Sequence, residues 1–205
     1  MNTKETYEKN GYNVTIFYDE CPESPRTWDV LGKFYCNNRN YTGDKLDMYD
    51  LAELLEVDIF ALNINQICER ANRKGYLCYP ISCYIHDGIA LHFNSTDYDR
   101  FDGGLFGFYL SEKKDICNRF RKKLVSKSLR KEVEGYIENE IKAYEDYCNG
   151  NVYGYNITNR FGEEIDSCSG FYGDPGIEDM KSQIDDMINS DEKQQVLLAI
   201  EMYAD

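Results

Sequence analysis

Apolar residues alternate with polar or small ones over residues 11–18 (GYNVTIFY). The alternation predicts a strand, and β formers over 30–36 predict a second one, with a proline-containing, carboxylate-rich loop at 19–28 between them. The period then changes. Leu51, Leu54, Leu55 and Ile59 recur at helical spacing within 48–62, and a second short helix is expected over 64–72, stopped by Gly75. Residues 76–86 and 89–93 are rich in β formers and flank Asp87-Gly88, whose positive φ angles suit a two-residue hairpin turn. Such a turn pairs His86 with Ile89 and His92 with Cys83, which puts the two imidazoles on opposite faces. A further strand is expected over 105–110. Ser111 then caps a helical stretch that runs to Cys148 in two pieces, broken near 126–128, the second with Val133, Tyr136, Ile137, Ile141, Tyr144 and Cys148 on one stripe.

The most sharply patterned stretch is 150–174. Two aromatic and β-branched arms flank Asn159-Arg160-Phe161-Gly162, a four-residue connection, and Gly154, Gly170 and Gly173 mark positions for bulges or close backbone approach. Two amphipathic helices, 177–188 and 194–203, close the chain. Hairpins without a βαβ rhythm predict an α+β fold, a mainly antiparallel sheet built from hairpins and flanked by amphipathic helices. A chain of 205 residues is expected to be a single domain, with 1–10 a flexible lead and 175–205 a helical appendage.

Charge changes the picture. The net charge is −14, yet residues 111–130 carry 8 basic and 2 acidic side chains while residues 131–205 carry 5 and 18. A chain so acidic is not expected to bind nucleic acid directly. No leader or spanning stretch is visible, so no membrane contact and a cytoplasmic location are expected. The eight cysteines are scattered without a Cys-x-x-Cys pair, which points to reduced thiols and not to a zinc site.

Catalytic motifs are absent: there is no phosphate-binding Gly-rich loop with Lys, no nucleophile elbow and no His-Glu-x-x-His. Cys83 and His92 are the one Cys–His pair that the hairpin would bring together. Carboxylate clusters at Asp19-Glu20, Asp97-Asp99-Asp102 and Glu163-Glu164-Asp166 lack calcium-loop spacing. No cofactor or metal is expected. Two readings stay open beside a binding protein. One is a metal- or nucleotide-dependent enzyme using Asp19, Asp102 or Asp174; the other is a sponge for nucleotide signals using the basic patch 113–130, which, as one face of one helix, would offer no cavity.

Trp28-Asp29-x-Leu31-Gly32, Arg39-x-Tyr41-x-Gly43-Asp44, Asp102-Gly-Gly-x-x-Gly107-Phe108, Gly150-x-Val152-Tyr153-Gly154-Tyr155 and Asp166-Ser167-Cys168-x-Gly170-Phe171-Tyr172-Gly173-Asp174 together resemble a family of small acidic proteins carried by bacteriophages and plasmids. The likeness runs from Tyr18 to Asp174, and its last block is the most specific. Ser169 stands where that family often has tryptophan. The family has no settled activity; the resemblance implies an accessory protein that blunts host defence. With the charge map it implies a binder that occludes a restriction or CRISPR-type nuclease, or another nucleic-acid-binding defence protein, through an acidic surface that takes the place of phosphates. The residues expected to carry it are Glu134, Glu138, Glu145, Glu163, Glu164 and Asp166, with Tyr153, Tyr155, Phe171 and Tyr172 as aromatic anchors.

Overall fold

The computed structural model describes residues 2–38, 40–41, 43–96 and 102–203, with backbone alone for 198, 199 and 201–203. In chain order the elements are β1 (Thr3–Lys9), β2 (Tyr12–Tyr18), β3 (Lys33–Cys36), β4 (Leu46–Asp47), α1 (Met48–Leu55), α2 (Ile64–Arg73), β5 (Tyr76–Ile85), β6 (Ile89–Phe93), β7 (Gly103–Glu112), α3 (Lys113–Arg119), α4 (Lys127–Cys148), β8 (Val152–Thr158), β9 (Glu164–Tyr172) and α5 (Gly173–Tyr203). Two mostly antiparallel sheets covered by helices make the fold α+β. Where length suggested one domain, contacts divide the chain into two compact units: Met1–Glu23 with Gly150–Asp205, and Ser24–Asn149.

In the unit Ser24–Asn149 the strand order is β4-β3-β7-β5-β6, and only β3 and β4 run parallel. Both faces of this sheet are covered. Phe34, Tyr79, Ile81 and Tyr109 pack with Leu129, Val133, Ile137, Ile141 and Tyr144 of α4. Tyr35, Phe108 and Leu110 pack on the other side with Leu51 and Leu55 of α1 and Ile67 and Ala71 of α2. Double coverage is why the central strands are continuous apolar runs. Tyr136, which its spacing put on the α4 stripe, is instead 51% exposed, its ring 5.8 Å from that of Phe120.

Both short helices begin in reciprocal caps, Asp47 with Asp50 and Asn63 with Gln66. The first ends sooner than its leucines suggest, at Glu56 in the left-handed region, and a separate turn, Ile59–Ala61, follows under an Asp58 cap. Ser111 does not cap α3. It lies inside β7, and Glu112 takes the cap position without a side-chain hydrogen bond.

Two departures from the expected register decide where side chains point. Ile81 pairs with Gly107 but Ser82 with Leu105, so Phe106 is a bulge residue that joins Tyr109 in the same core. Gly107 sits at φ +155°, and a Cβ there would stand 2.1 Å from the Tyr35 carbonyl oxygen. At the β5/β6 hairpin Ile85 pairs with Ile89, so the turn has three residues, His86-Asp87-Gly88, not two. The one-residue slip inverts the faces. Cys83 lies opposite Leu91 and is buried, whereas His92 lies opposite Ser82 on the other side and is exposed, so the sheet separates the expected Cys–His pair.

The unit formed by 1–23 and 150–205 is a four-stranded antiparallel sheet, β1-β2-β8-β9, with α5 on one face. Met180, Ile184 and Ile188, four residues apart, pack onto Tyr12, Val14, Ile16, Tyr155 and Ile157. Residues 3–9, read from sequence as part of the lead, form the edge strand, and Asn10-Gly11, at φ 53° and 81°, supplies the turn into β2. The two closing helices are one, because nothing between 188 and 194 breaks a helix and Gln195 donates to Asp191 one turn earlier at 2.7 Å. The β8/β9 connection has five residues, 159–163, because Thr158 pairs with Glu164. As the glycine pattern predicts, Gly170 (φ +89°) is a bulge residue between Ser169 and Phe171. Among the described residues no helix is long and apolar enough to cross a membrane.

Candidate functional site

Residues 1–23 and 150–205 carry 17 acidic and 5 basic side chains, a net of −12; residues 24–149 carry 20 and 18, a net of −2. Nearly all of the excess negative charge therefore belongs to one folded unit. On it Glu163 and Glu164 are exposed at the β8/β9 turn, and Glu178, Asp179 and Asp186 are exposed on α5.

The hairpin holds its carboxylates with internal donors. Asn159 Oδ1 accepts the N–H groups of Phe161 and Glu163 at 2.9 and 3.0 Å, and its Nδ2 donates to Glu163 Oε2 at 2.7 Å. Asn156 Nδ2 donates to Glu164 at 2.5 Å, and the Tyr155 hydroxyl donates to Asp166 Oδ2 at 2.5 Å. Burial, and then Asp166, push the Tyr155 hydroxyl pKa up. Two further contacts tie α5 to the sheet: Lys9 pairs with Asp185 at 2.5 Å, and the Tyr12 hydroxyl donates to Asp191 at 2.6 Å. Burial followed by the Asp191 hydrogen bond raises the Tyr12 pKa to about 12.

The ten residues expected at a partner surface are divided between the two units. Glu163, Glu164, Asp166 and the four aromatics lie in the acidic unit, while Glu134, Glu138 and Glu145 are on α4 of the other. Tyr153, Tyr155 and Phe171 are core residues at 6%, 2% and 8% exposure, and the Tyr172 hydroxyl donates to the Glu23 carbonyl oxygen. These aromatics build the hairpin from within. Glu145 is engaged too: it accepts from Leu91 N–H on edge strand β6 at 2.6 Å and from Lys142 at 2.5 Å. Glu134 is half-buried and Glu138 exposed.

The residues proposed for an enzyme are also divided. Asp19 accepts from Cys21 N–H at 3.0 Å in one unit, Asp174 is exposed in the same unit, and Asp102 belongs to the other, 3.4 Å from the Tyr84 hydroxyl. Asp97, Asp99 and Arg39 lie outside the described residues. Among the described residues no three His, Cys, Asp or Glu side chains are grouped to hold a metal ion. Two thiols do meet where spacing gave no hint: Cys78 Sγ lies 3.3 Å from Cys68 Sγ, across from β5 to α2.

Sequence reasoning missed a buried ionic cluster. The Arg26 side chain, 3% exposed, donates from Nη2 to Gly32 O at 2.7 Å and to Asp44 Oδ2 at 2.9 Å, and its Nη1 lies 3.5 Å from Glu140 Oε2. The guanidinium faces the rings of Phe34 and Tyr109 at 4.8 and 5.4 Å. Asp44 also accepts Phe34 N–H at 2.6 Å; Glu140 accepts Leu31 N–H at 2.8 Å and the Tyr109 hydroxyl. Burial raises the Glu140 pKa, against the opposing effects of Tyr109, Leu31 and Arg26. With its groups bonded to one another, the cluster is a clasp that fixes the loop 24–32, the start of β3 and the loop 43–45 to α4.

The basic segment departs most from expectation. It spans α3, a tight reversal and the start of α4, and lines an open cavity of about 740 Å³. Models of known families, curated proteins and solved structures were each compared with the chain, and none matches.

Proposed function

We propose that the unit formed by 1–23 and 150–205 is an electrostatic recognition surface for a basic, nucleic-acid-handling protein, and that the chain inhibits a host nuclease or a CRISPR or restriction complex by occupying its nucleic-acid path. The observation that carries this reading is the net charge of −12 on that unit against −2 on the other. A field of one sign over a small folded unit attracts a basic groove and rejects nucleic acid itself. Glu163, Glu164 and Asp166, held by Asn159, Asn156 and Tyr155, lose little freedom on docking. Glu178, Asp179 and Asp186 extend the same charge along α5. The resemblance to phage and plasmid accessory proteins points the same way.

The test is inhibition of purified restriction and CRISPR nucleases by the full chain, at low and high salt. We expect a nuclease that is inhibited at low salt, released at high salt, and spared by the Glu163→Lys/Glu164→Lys/Glu178→Lys/Asp179→Lys variant. Glu134→Lys/Glu138→Lys, on the other unit, should inhibit like the parent. Equal inhibition by parent and quadruple variant, or no nuclease bound by either, removes the proposal.

A further inference from the structure

Lys113 to Arg130 contain eight basic side chains, and uninterrupted helix would spread them along a convex face. The fold instead reverses the chain in their midst. α3 stops after Arg119; Arg121 takes a left-handed φ of 52°, its N–H donates to Asn118 O at 3.2 Å, and Lys122 N–H donates to Cys117 O at 2.8 Å. These two bonds are a Schellman reversal with arginine where glycine is usual. The chain turns through Lys122–Ser126, and Ser126 Oγ accepts Leu129 N–H at 3.2 Å to start α4.

The reversal folds the basic segment around a concavity. Lys113, Lys114, Lys122, Lys123, Lys127 and Arg130 line the cavity of about 740 Å³, and none of the lining residues is acidic. Lys113 is anchored: Nζ donates to Asn72 O at 2.9 Å and to Asn72 Oδ1. Burial and then the Arg130 charge hold its pKa below the ordinary lysine value, a crowding that a bound anion would relieve. Among the described residues no ion pair joins Lys114, Lys122, Lys123, Lys127 or Arg130 to a carboxylate, whereas Arg119, outside the cavity, pairs with Asp29 at 2.8 Å. A merely solvated face would be convex and mixed in sign; this one is concave and of one sign.

From this arrangement we infer that the cavity is a binding site for a multiply phosphorylated small molecule of the nucleoside polyphosphate class. Six cations around one volume leave most of their charge unmet by a monoanion and match a run of adjacent phosphates. The cavity falls within the roughly 300–1,000 Å³ of small-molecule sites, and Leu124 and Val125 offer aliphatic surface to a nucleoside. A nucleic-acid strand fits less well. No aromatic ring lines the cavity to stack bases. The inference uses none of the acidic unit and stands or falls apart from the inhibitor proposal.

Calorimetric titration of the full chain with tripolyphosphate, ATP, AMP and adenosine tests it. ATP and tripolyphosphate should bind, AMP about tenfold more weakly or worse, and adenosine not at all. Lys113→Gln/Lys122→Gln/Lys127→Gln should weaken ATP about tenfold or more, while Arg119→Gln should leave it unchanged. Should the triple variant not fold by circular dichroism, Lys122→Glu alone, at an exposed position, serves the same comparison. Failure of both polyphosphates to bind, full affinity in the cavity variants, or a single-stranded oligonucleotide that binds more tightly than ATP at the same lysines overturns the inference. Tripolyphosphate binding without ATP binding overturns the nucleotide assignment.

Discussion

Arg26 shows what a single residue can hide. In the sequence it sits between Pro25 and Thr27 in a stretch with every mark of a loop, and its partners Asp44 and Glu140 are 18 and 114 positions away. No local period predicts such a cluster, because long-range ionic clasps leave no spacing signal. Its titration is testable at Glu140. Burial raises the folded-state pKa of this carboxyl, so the folded chain keeps the proton to a higher pH than the unfolded chain, whose value lies near about 4.3. Between those two values the unfolded state binds fewer protons, and stability conferred at this position falls as pH rises. Urea unfolding at stepped pH should show wild type losing stability across that window relative to Glu140→Gln, in which the titration is absent; parallel curves would contradict the assignment. The neutral amide should cost stability overall, since it weakens the contact with Arg26 inside a closed cluster.

At the scale of elements, periodicity located the strands and helices and turns decided what they present. The start of α4 was legible because Ser126 is a strong cap, although the break itself lies at 120–126 and not at 126–128, and the Gly170 bulge was legible because glycine was the cue. The edge strand Thr3–Lys9 was equally marked, by Asn10-Gly11, the strongest short hairpin signal, but its outward polarity resembled a disordered lead. The β5/β6 hairpin failed the other way: Asp87-Gly88 suggested a two-residue turn, and one extra residue moved Cys83 and His92 to opposite faces. The α3/α4 reversal was hidden because a non-glycine residue occupies its left-handed position. Arg121→Gly should therefore raise stability by about 0.5–1 kcal/mol, whereas Ser126→Ala should lower it by about 1 kcal/mol. Both are measured by denaturant midpoints, and a destabilising Arg121→Gly would show that the arginine side chain contributes more than its backbone conformation costs.

For the whole molecule, the division into two units was the feature least open to sequence inspection, since the acidic unit is assembled from the two ends of the chain and its core joins residues more than 160 positions apart, such as Val14 and Ile184. Charge counted along the chain placed a boundary at residue 131; counted by folded unit it assigns α4 and its glutamates to the nearly neutral part and leaves −12 on the rest. That partition has a thermodynamic consequence. Carboxylates crowded on one small unit repel one another in the folded state, and salt screens that repulsion within a Debye length of about 10 Å near 0.1 M. Two cores need not unfold together, so two transitions are expected, the acidic unit opening first at low salt and gaining most from added salt. The single tryptophan, Trp28, belongs to the unit Ser24–Asn149, whereas far-ultraviolet circular dichroism sees both sheets. Urea unfolding followed by both signals should give a dichroism curve that begins before the fluorescence curve in low salt and approaches it as salt is raised. Curves that coincide at every salt concentration would mean that the two units unfold as one cooperative body and that the charge on 1–23 and 150–205 is borne by the whole chain.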